Sequence, residues 1–337
     1  LDSLIKKGTY FEQAISTADG TFLTLNSIFN AIFPFVTSIR TRKLVFTDDN
    51  YLTNLINFNY HIYGLVPRLT SLKPLIELFE NENNTYSAEP PNVLHLQDGL
   101  GNQILNMLNS SKMNEPWFYY IHLNDLHWPL QVPTYFDKKI FGISPYEKLI
   151  SLIDYWIGKL VEHIEFDKTL VIITSDHGSL IPVDNKGITD FEPDQSLIIK
   201  TGKRFVPKSL YSSATKLLSL SNRIITKIKL AKANQNLTPY QKRSRLSYFT
   251  LSLFDESVHI PLLFVGNHIP PKLIKQQVCS VDIFPTIAEL INMRTTSKKH
   301  GRSLTPCFEN GNLEEVPIYL HTIPYEKISS NDKVGIR

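Results

Sequence analysis

Asp176 and His177 stand side by side at the end of an apolar run, in the stretch TLVIITSDHG over residues 169–178. A carboxylate and an imidazole presented together make either a metal site or an acid/base pair. A strand that ends in a polar turn, with Asp176 capping the next segment, would read the same way. Thr21 is a second candidate: Asp19-Gly20 form a turn, and Leu25, Ile28, Phe29 and Ile32 then recur at helical spacing towards Pro34. A hydroxyl at the start of that helix meets unpaired N–H groups and the positive end of the dipole, which favour an ionised oxygen or a bound phosphate or sulfate. An ordinary N-cap threonine occupies the same position. The third candidate is His127, in a loop with Asp125 and Pro129 that closes the segment WFYYIHLNDLHWPL. Its imidazole can donate to an ester oxygen or protonate a leaving group, or be a plain loop histidine. His122 alternates with apolar residues and reads as structural.

The elements that must hold these groups follow from periodicity. Leu170 to Ile173 form a run of the kind buried on both faces of a parallel sheet, and open α/β sheets keep ligands at their carboxyl edge. Gly178, with no Cβ, lets the chain bend away after the pair. Residues 146–166 place Leu149, Leu152, Ile153, Ile157, Leu160, Val161 and Ile164 on one helical face. Helix-then-strand patterns recur over 1–16 and 49–70, and Asp282 before Pro285 suits the capping of a helix. The alternation allows an α/β protein with a mostly parallel central sheet flanked by helices. At 337 residues, 42% hydrophobic and 20% charged, the chain has enough apolar material for one large domain or two smaller ones. A net charge of +3 is too small to argue for nucleic acid. Cys279 and Cys307 make neither a disulfide framework nor a zinc spacing. The apolar stretch 26–39 is interrupted by Asn30 and Pro34 and falls short of a membrane span. The chain starts at Leu1 and reads as part of a longer protein, so membrane attachment would come from segments outside it and the compartment stays open. Residues 204–245 are rich in Lys, Arg and Ser and read as a solvated insertion, and Lys186 is either a substrate contact or a loop charge.

Taken in order, these segments resemble the sulfatase family of the alkaline phosphatase superfamily. DKTLVIITSDHG looks like the family's strand and turn whose Asp and following His or Asn bind the metal. Tyr146, Asp154 and Gly158 match its preceding helix. The loop at His127 is similar to the family's Pro-His-x-Pro segment, with Leu126 in place of the first proline. Thr21 stands before Pro34 as the family's nucleophile stands before its proline, while Leu23 and Leu25 fill the places of the motif's Pro and Arg. Without Cys or Ser there, no formylglycine can form. Phosphoethanolamine and phosphoglycerol transferases of the superfamily use Thr both as nucleophile and as metal ligand. Asn59-Tyr60 matches a Gly-Tyr place, and Arg68 falls near the family's anion-holding Lys and His. LFDESVHIPLLFVG, VDIFPTIAELINM, HGRSLTP and the closing VGIR resemble later segments.

The resemblance implies one partial sulfatase-like catalytic domain over 1–337, interrupted by the basic insertion at about 200–247. It would begin after the family's first metal-binding strand and stop at the start of its C-terminal sheet. It implies metal-dependent hydrolysis of a small-molecule, glycan-linked or lipid-linked sulfate or phosphate ester. Thr21 and His127 would be catalytic, Asp176, His177 and Thr21 would hold one divalent ion (Ca, Mn, Zn or Mg), and Arg68 would contact substrate. Two alternatives stand beside it: a phosphoethanolamine- or phosphoglycerol-type transferase of the cell envelope, and a catalytically inactive binding protein on the same fold, which the absent motif arginine favours.

Overall fold

A computed structural model of the chain describes residues 1–36, 43–88, 93–109, 112–189, 228, 231–232, 234–246, 252–294, 299–309, 311, 313–323 and 333–337. The chain divides into two compact units, Leu1–Ser179 with Phe249–Arg337, and Leu180–Tyr248.

The first unit is built on two larger sheets, with a two-stranded ribbon of Tyr319–Thr322 and Lys333–Ile336 beside them in the same unit. The larger has the order β5 (Val171–Thr174), β8 (His259–Val265), β1 (Thr9–Ile15), β9 (Lys272–Cys279). β1 pairs parallel with β9, whereas β8 is antiparallel to both β1 and β5. Strands β5, β1 and β9 therefore point one way and β8 alone is reversed. The smaller sheet, β3 (Thr85–Tyr86), β2 (His61–Pro67), β4 (Trp117–Ile121), is parallel throughout, with Leu65 opposite Ile121. The α/β class stands as expected, and the parallel pairing is concentrated in the smaller sheet.

β5 differs from its reading as a strand buried on both faces. It is only half-buried and lies at one edge of the four-stranded sheet among the described residues. Its β-branched residues still pack on both sides, Ile172 towards Phe11, Phe264 and Ile260, and Ile173 towards Leu4, Leu263 and Val265.

Helices close the faces. The helix Thr21–Asn30 buries every residue from Leu23 to Asn30, and Phe29 meets Phe46, Tyr120 and Phe284 ring to ring. Each such aromatic or aliphatic side chain contributes about 1.5–3 kcal/mol by leaving water. Asn26 and Asn30 are buried as well, and their amides bond the backbone of Lys43, Val45 and Thr47, so the helix holds its own flanking chain. On the smaller sheet, Leu100–Leu108 and Pro145–Val161 enclose Leu65, Tyr86, Leu96, Phe136, Leu152 and Trp156. The second of these helices starts at a capping box between Ser144 and Glu147.

The second unit contains a two-strand ribbon, β6 (Val183–Asp184) with β7 (Gly187–Ile188), and a short helix Pro239–Arg243 capped by Thr238. Val183 N–H donates to Ser244 Oγ, joining the two. Most of the basic stretch read from the sequence falls outside the described residues.

Candidate active site

β1 and β5 run in the same direction, so the segments that follow them leave from the same edge of the four-stranded sheet. Thr21 comes off β1 and Asp176-His177 come off β5, at the carboxyl edge where such sheets bind ligands. The structure brings all three together.

Thr21 is the first helical residue and Gly20 is the N-cap, with no side-chain cap bond. The hydroxyl is therefore not used for capping. It lies 3.5 Å from His177 Nε2, and near enough to the Asp176 carboxylate to favour its ionised form. His177 Nδ1 is 2.6 Å from the Gly178 carbonyl, which can only accept, so Nδ1 carries the proton and the Nε2 lone pair faces Thr21. Asp176 Oδ1 accepts the His177 backbone N–H at 2.9 Å. Burial alone would raise the Asp176 carboxyl, but His177, His122, the Thr21 hydroxyl and that N–H together hold it below the usual carboxylate range. It is ionised at neutral pH.

Gly178 has a tighter reason to be glycine than chain bending. Its N–H donates to Ser257 O at 2.8 Å, and a Cβ there would come within 2.3 Å of the Glu256 carbonyl oxygen. The turn is thus pressed against the chain that leads into β8, which fixes the height of Asp176 and His177 above the sheet.

β4 supplies a second set of groups from the parallel sheet. It ends at Ile121, and His122 is the next residue, its N–H donating to Leu65 O at 3.0 Å. The ring is bonded to Tyr120 Oη at 3.0 Å and interacts electrostatically with Asp176, His177 and His127. Burial is the main cause that lowers its pKa, opposed by the Asp176 carboxylate. His127 is exposed, its Nδ1 2.7 Å from Trp128 O, so that its proton-transferring nitrogen is Nε2.

Arg68 follows β2 at the carboxyl end of the same sheet, exposed, with Nε donating to Thr85 Oγ1 at 3.4 Å. Lys186 belongs to the second unit, in the turn of the β6–β7 ribbon, where its N–H donates to Asp184 Oδ1.

Residues 1–293 match the family described as Sulfatase. The chain belongs to the sulfatase family. Among solved structures it is similar to Ps i-CgsB in complex with a neocarrahexaose, at 17% identity and a TM-score of 0.63 over all of this chain and 75% of that one. It is also similar to the phosphonate monoester hydrolase of Agrobacterium radiobacter, at 11% identity and a TM-score of 0.62 over 97% of this chain and 76% of that one. Likeness at that identity speaks for the fold. Arylsulfatase K of Mus musculus is 30% identical over 79 residues, which span 23% of this chain and 14% of that protein.

Within the sulfatase family this chain departs at positions 23 and 25. Both leucines are buried, and Leu25 packs in the main core with Ile28, Phe29 and Phe284. Substitution by the motif's arginine would drive a charge into that cluster. The donors around Thr21 fit a divalent cation chemically: an ionised carboxylate, an imidazole with its lone pair at Nε2, and a hydroxyl. Among the described residues no group of three or more His, Cys, Asp or Glu side chains is placed to hold a metal, so the set consists of two such side chains and the threonine.

Proposed function

We propose that the protein is a sulfatase-family hydrolase of sulfate or phosphate esters in which Thr21 is the nucleophile. The observation that carries this reading is the Thr21 hydroxyl, spared from capping and set between Asp176 and His177 Nε2. Asp176, His177 and Thr21 would hold one divalent cation, with Mn or Zn suited by the imidazole and Ca or Mg by the oxygens. When bound, it would supply Lewis-acid stabilisation of charge on the ester oxygens and lower the pKa of the hydroxyl.

The chain's own residues do the rest. Ionised Asp176, which has a second oxygen beyond the one that would hold the cation, accepts the Thr21 proton, which readies the oxygen for in-line attack on sulfur or phosphorus, while Nε2 of His177 would serve the cation. The first-turn N–H groups of the helix Thr21–Asn30 offer donors to a bound sulfate or phosphate. His127, with Nδ1–H tied to Trp128 O, gives a proton from Nε2 to the departing oxygen, leaving the group covalently on Thr21 until water releases it. Arg68 would contact the anionic ester. The relatives include a phosphonate monoester hydrolase and a 2-O GAG sulfatase, which supports an ester of either acid and a glycan among the substrates.

The burial of Leu25 where the family motif has arginine favours a second reading, a binding protein that retains the fold. The two are separated by measuring metal content and hydrolysis of nitrophenyl sulfate and bis(nitrophenyl) phosphate with the full-length protein, alongside Thr21→Ala and Asp176→Ala. Metal-dependent cleavage of one ester that both substitutions abolish supports the hydrolase, and the preferred ester sets its class. A metal-free protein that cleaves neither ester supports the binding protein.

A further inference from the structure

A second histidine–carboxylate pair lies outside the cluster around Thr21. Asp125, in the loop between His122 and His127, has a side chain only 1% exposed, and that of His95, which precedes the turn Leu96–Asp98, is 7% exposed. His95 Nδ1 stands 3.4 Å from Asp125 Oδ1, and the Leu96 N–H donates to the same oxygen at 3.1 Å. Oδ2 is buried with no hydrogen-bond partner among the described residues. Both ring nitrogens of His95 are also buried without one, so the 3.4 Å contact is an electrostatic pairing and the carboxylate accepts its hydrogen bond from the Leu96 N–H.

The pair sits beneath a turn. His127 N–H donates to Asn124 O at 3.0 Å, which makes Asp125 and Leu126 the two central residues. Asp125 is held from below by His95 and Leu96, and Leu126 packs against the cluster of Tyr86, Leu96 and Leu100. At the start of the loop, Tyr86 Oη donates to His122 O at 2.6 Å. Asp125 holds the His95 imidazole above its ordinary pKa, with Gln131 and Asp98 adding to this and burial opposing it. A buried ion pair is a poor way to stabilise a core, since apolar residues of similar volume do as well or better, and its best-attested use is to fix a register.

We propose that His95 and Asp125 are positioning residues that clamp the turn over residues 124–127 and so aim His127 Nε2 at the leaving-group oxygen. The inference rests on the role given to His127 above.

The test uses full-length protein with Asp125→Asn, the double variant His95→Leu with Asp125→Leu, and His127→Ala. Two esters of whichever acid the wild type cleaves are compared, one with a nitrophenyl leaving group and one with an alkyl or sugar alcohol, which needs protonation to depart. Asp125→Asn is expected to lose on the order of 10- to 100-fold in kcat/KM on the alkyl or sugar ester. On the nitrophenyl ester it should lose only about threefold, with KM within about twofold on both. The double leucine variant, which keeps a filled core, should show the same selective loss, and Asp125→Asn added to His127→Ala should cost little more. Equal losses on both esters, full additivity with His127→Ala, or wild-type activity of the double leucine variant on the poor leaving group would overturn the proposal. If the wild type cleaves neither ester, the hydrolase reading fails first, and imidazole ¹⁵N resonances decide the clamp separately. Asp125→Asn or the double variant should move the His127 ring signals, and unchanged signals in both would overturn it.

Discussion

The two sheets each present a histidine and an aspartate near their carboxyl edges, yet the pairs are built in opposite ways. Asp176 and His177 are adjacent in sequence, 19% and 13% exposed at the side chain, and face a hydroxyl. His95 and Asp125 come from separate segments, are shut in the core, and face each other. In the first pair the surroundings depress a carboxyl; in the second they elevate an imidazole. A shallow pair with an unspent hydroxyl beside it can act on a ligand, whereas a sealed pair can act only on the chain that carries it.

The largest effect that separates the two is catalytic. Asp176→Asn or His177→Ala should lower turnover on the order of 10³-fold or more while leaving the folded protein intact by circular dichroism. A comparable loss on nitrophenyl ester from His95→Gln would erase the distinction between the pairs. Next is Gly178→Ala, where the new Cβ meets Glu256 O and the turn must shift, at a cost of about 1–3 kcal/mol in denaturant unfolding, together with loss of bound metal.

The pairs should also fail at opposite ends of the pH scale. Asp176 has a depressed folded pKa, so its contribution to stability is present above the unfolded value of about 3.9 and is lost as pH falls through the folded one. His95 has a raised folded pKa, so its contribution is full below the unfolded value of about 6.5 and is lost as pH rises through the folded one. Thermal melts of metal-free protein should show Asp176→Asn flattening the acid limb and His95→Gln flattening the alkaline limb. The smallest effect belongs to Arg68: being exposed, Arg68→Ala should change stability by less than about 0.5 kcal/mol and raise KM a few-fold without changing kcat.

How much of this was legible in the sequence obeys the same division. Asp176-His177 announced itself because both residues lie at one strand end, and Thr21 because a turn, a helical period and a closing proline bracket it. The helices and strands were read correctly where an apolar period ran for several residues, as in Pro145–Val161 and His259–Val265. The direction of β8 was not legible, because pairing partners are set by contacts between segments far apart in the chain. That Gly20 rather than Thr21 is the N-cap depends on one residue's backbone geometry, which composition does not reveal. His122 lies one residue past the strand that its alternation with apolar neighbours suggested. The contact between His95 and Asp125 joins two loops with no shared motif, so only the fold exposes it.

The most direct test of the Thr21 nucleophile is to trap the intermediate. A metal-loaded His127→Ala protein would be mixed with the favoured nitrophenyl ester, quenched in acid within one turnover, digested and read by mass spectrometry. The expected result is one sulfuryl or phosphoryl group on the peptide that contains Thr21, assigned to that hydroxyl by fragmentation and absent from Thr21→Ala. Turnover with no adduct on Thr21, or with the group on another residue, would contradict it.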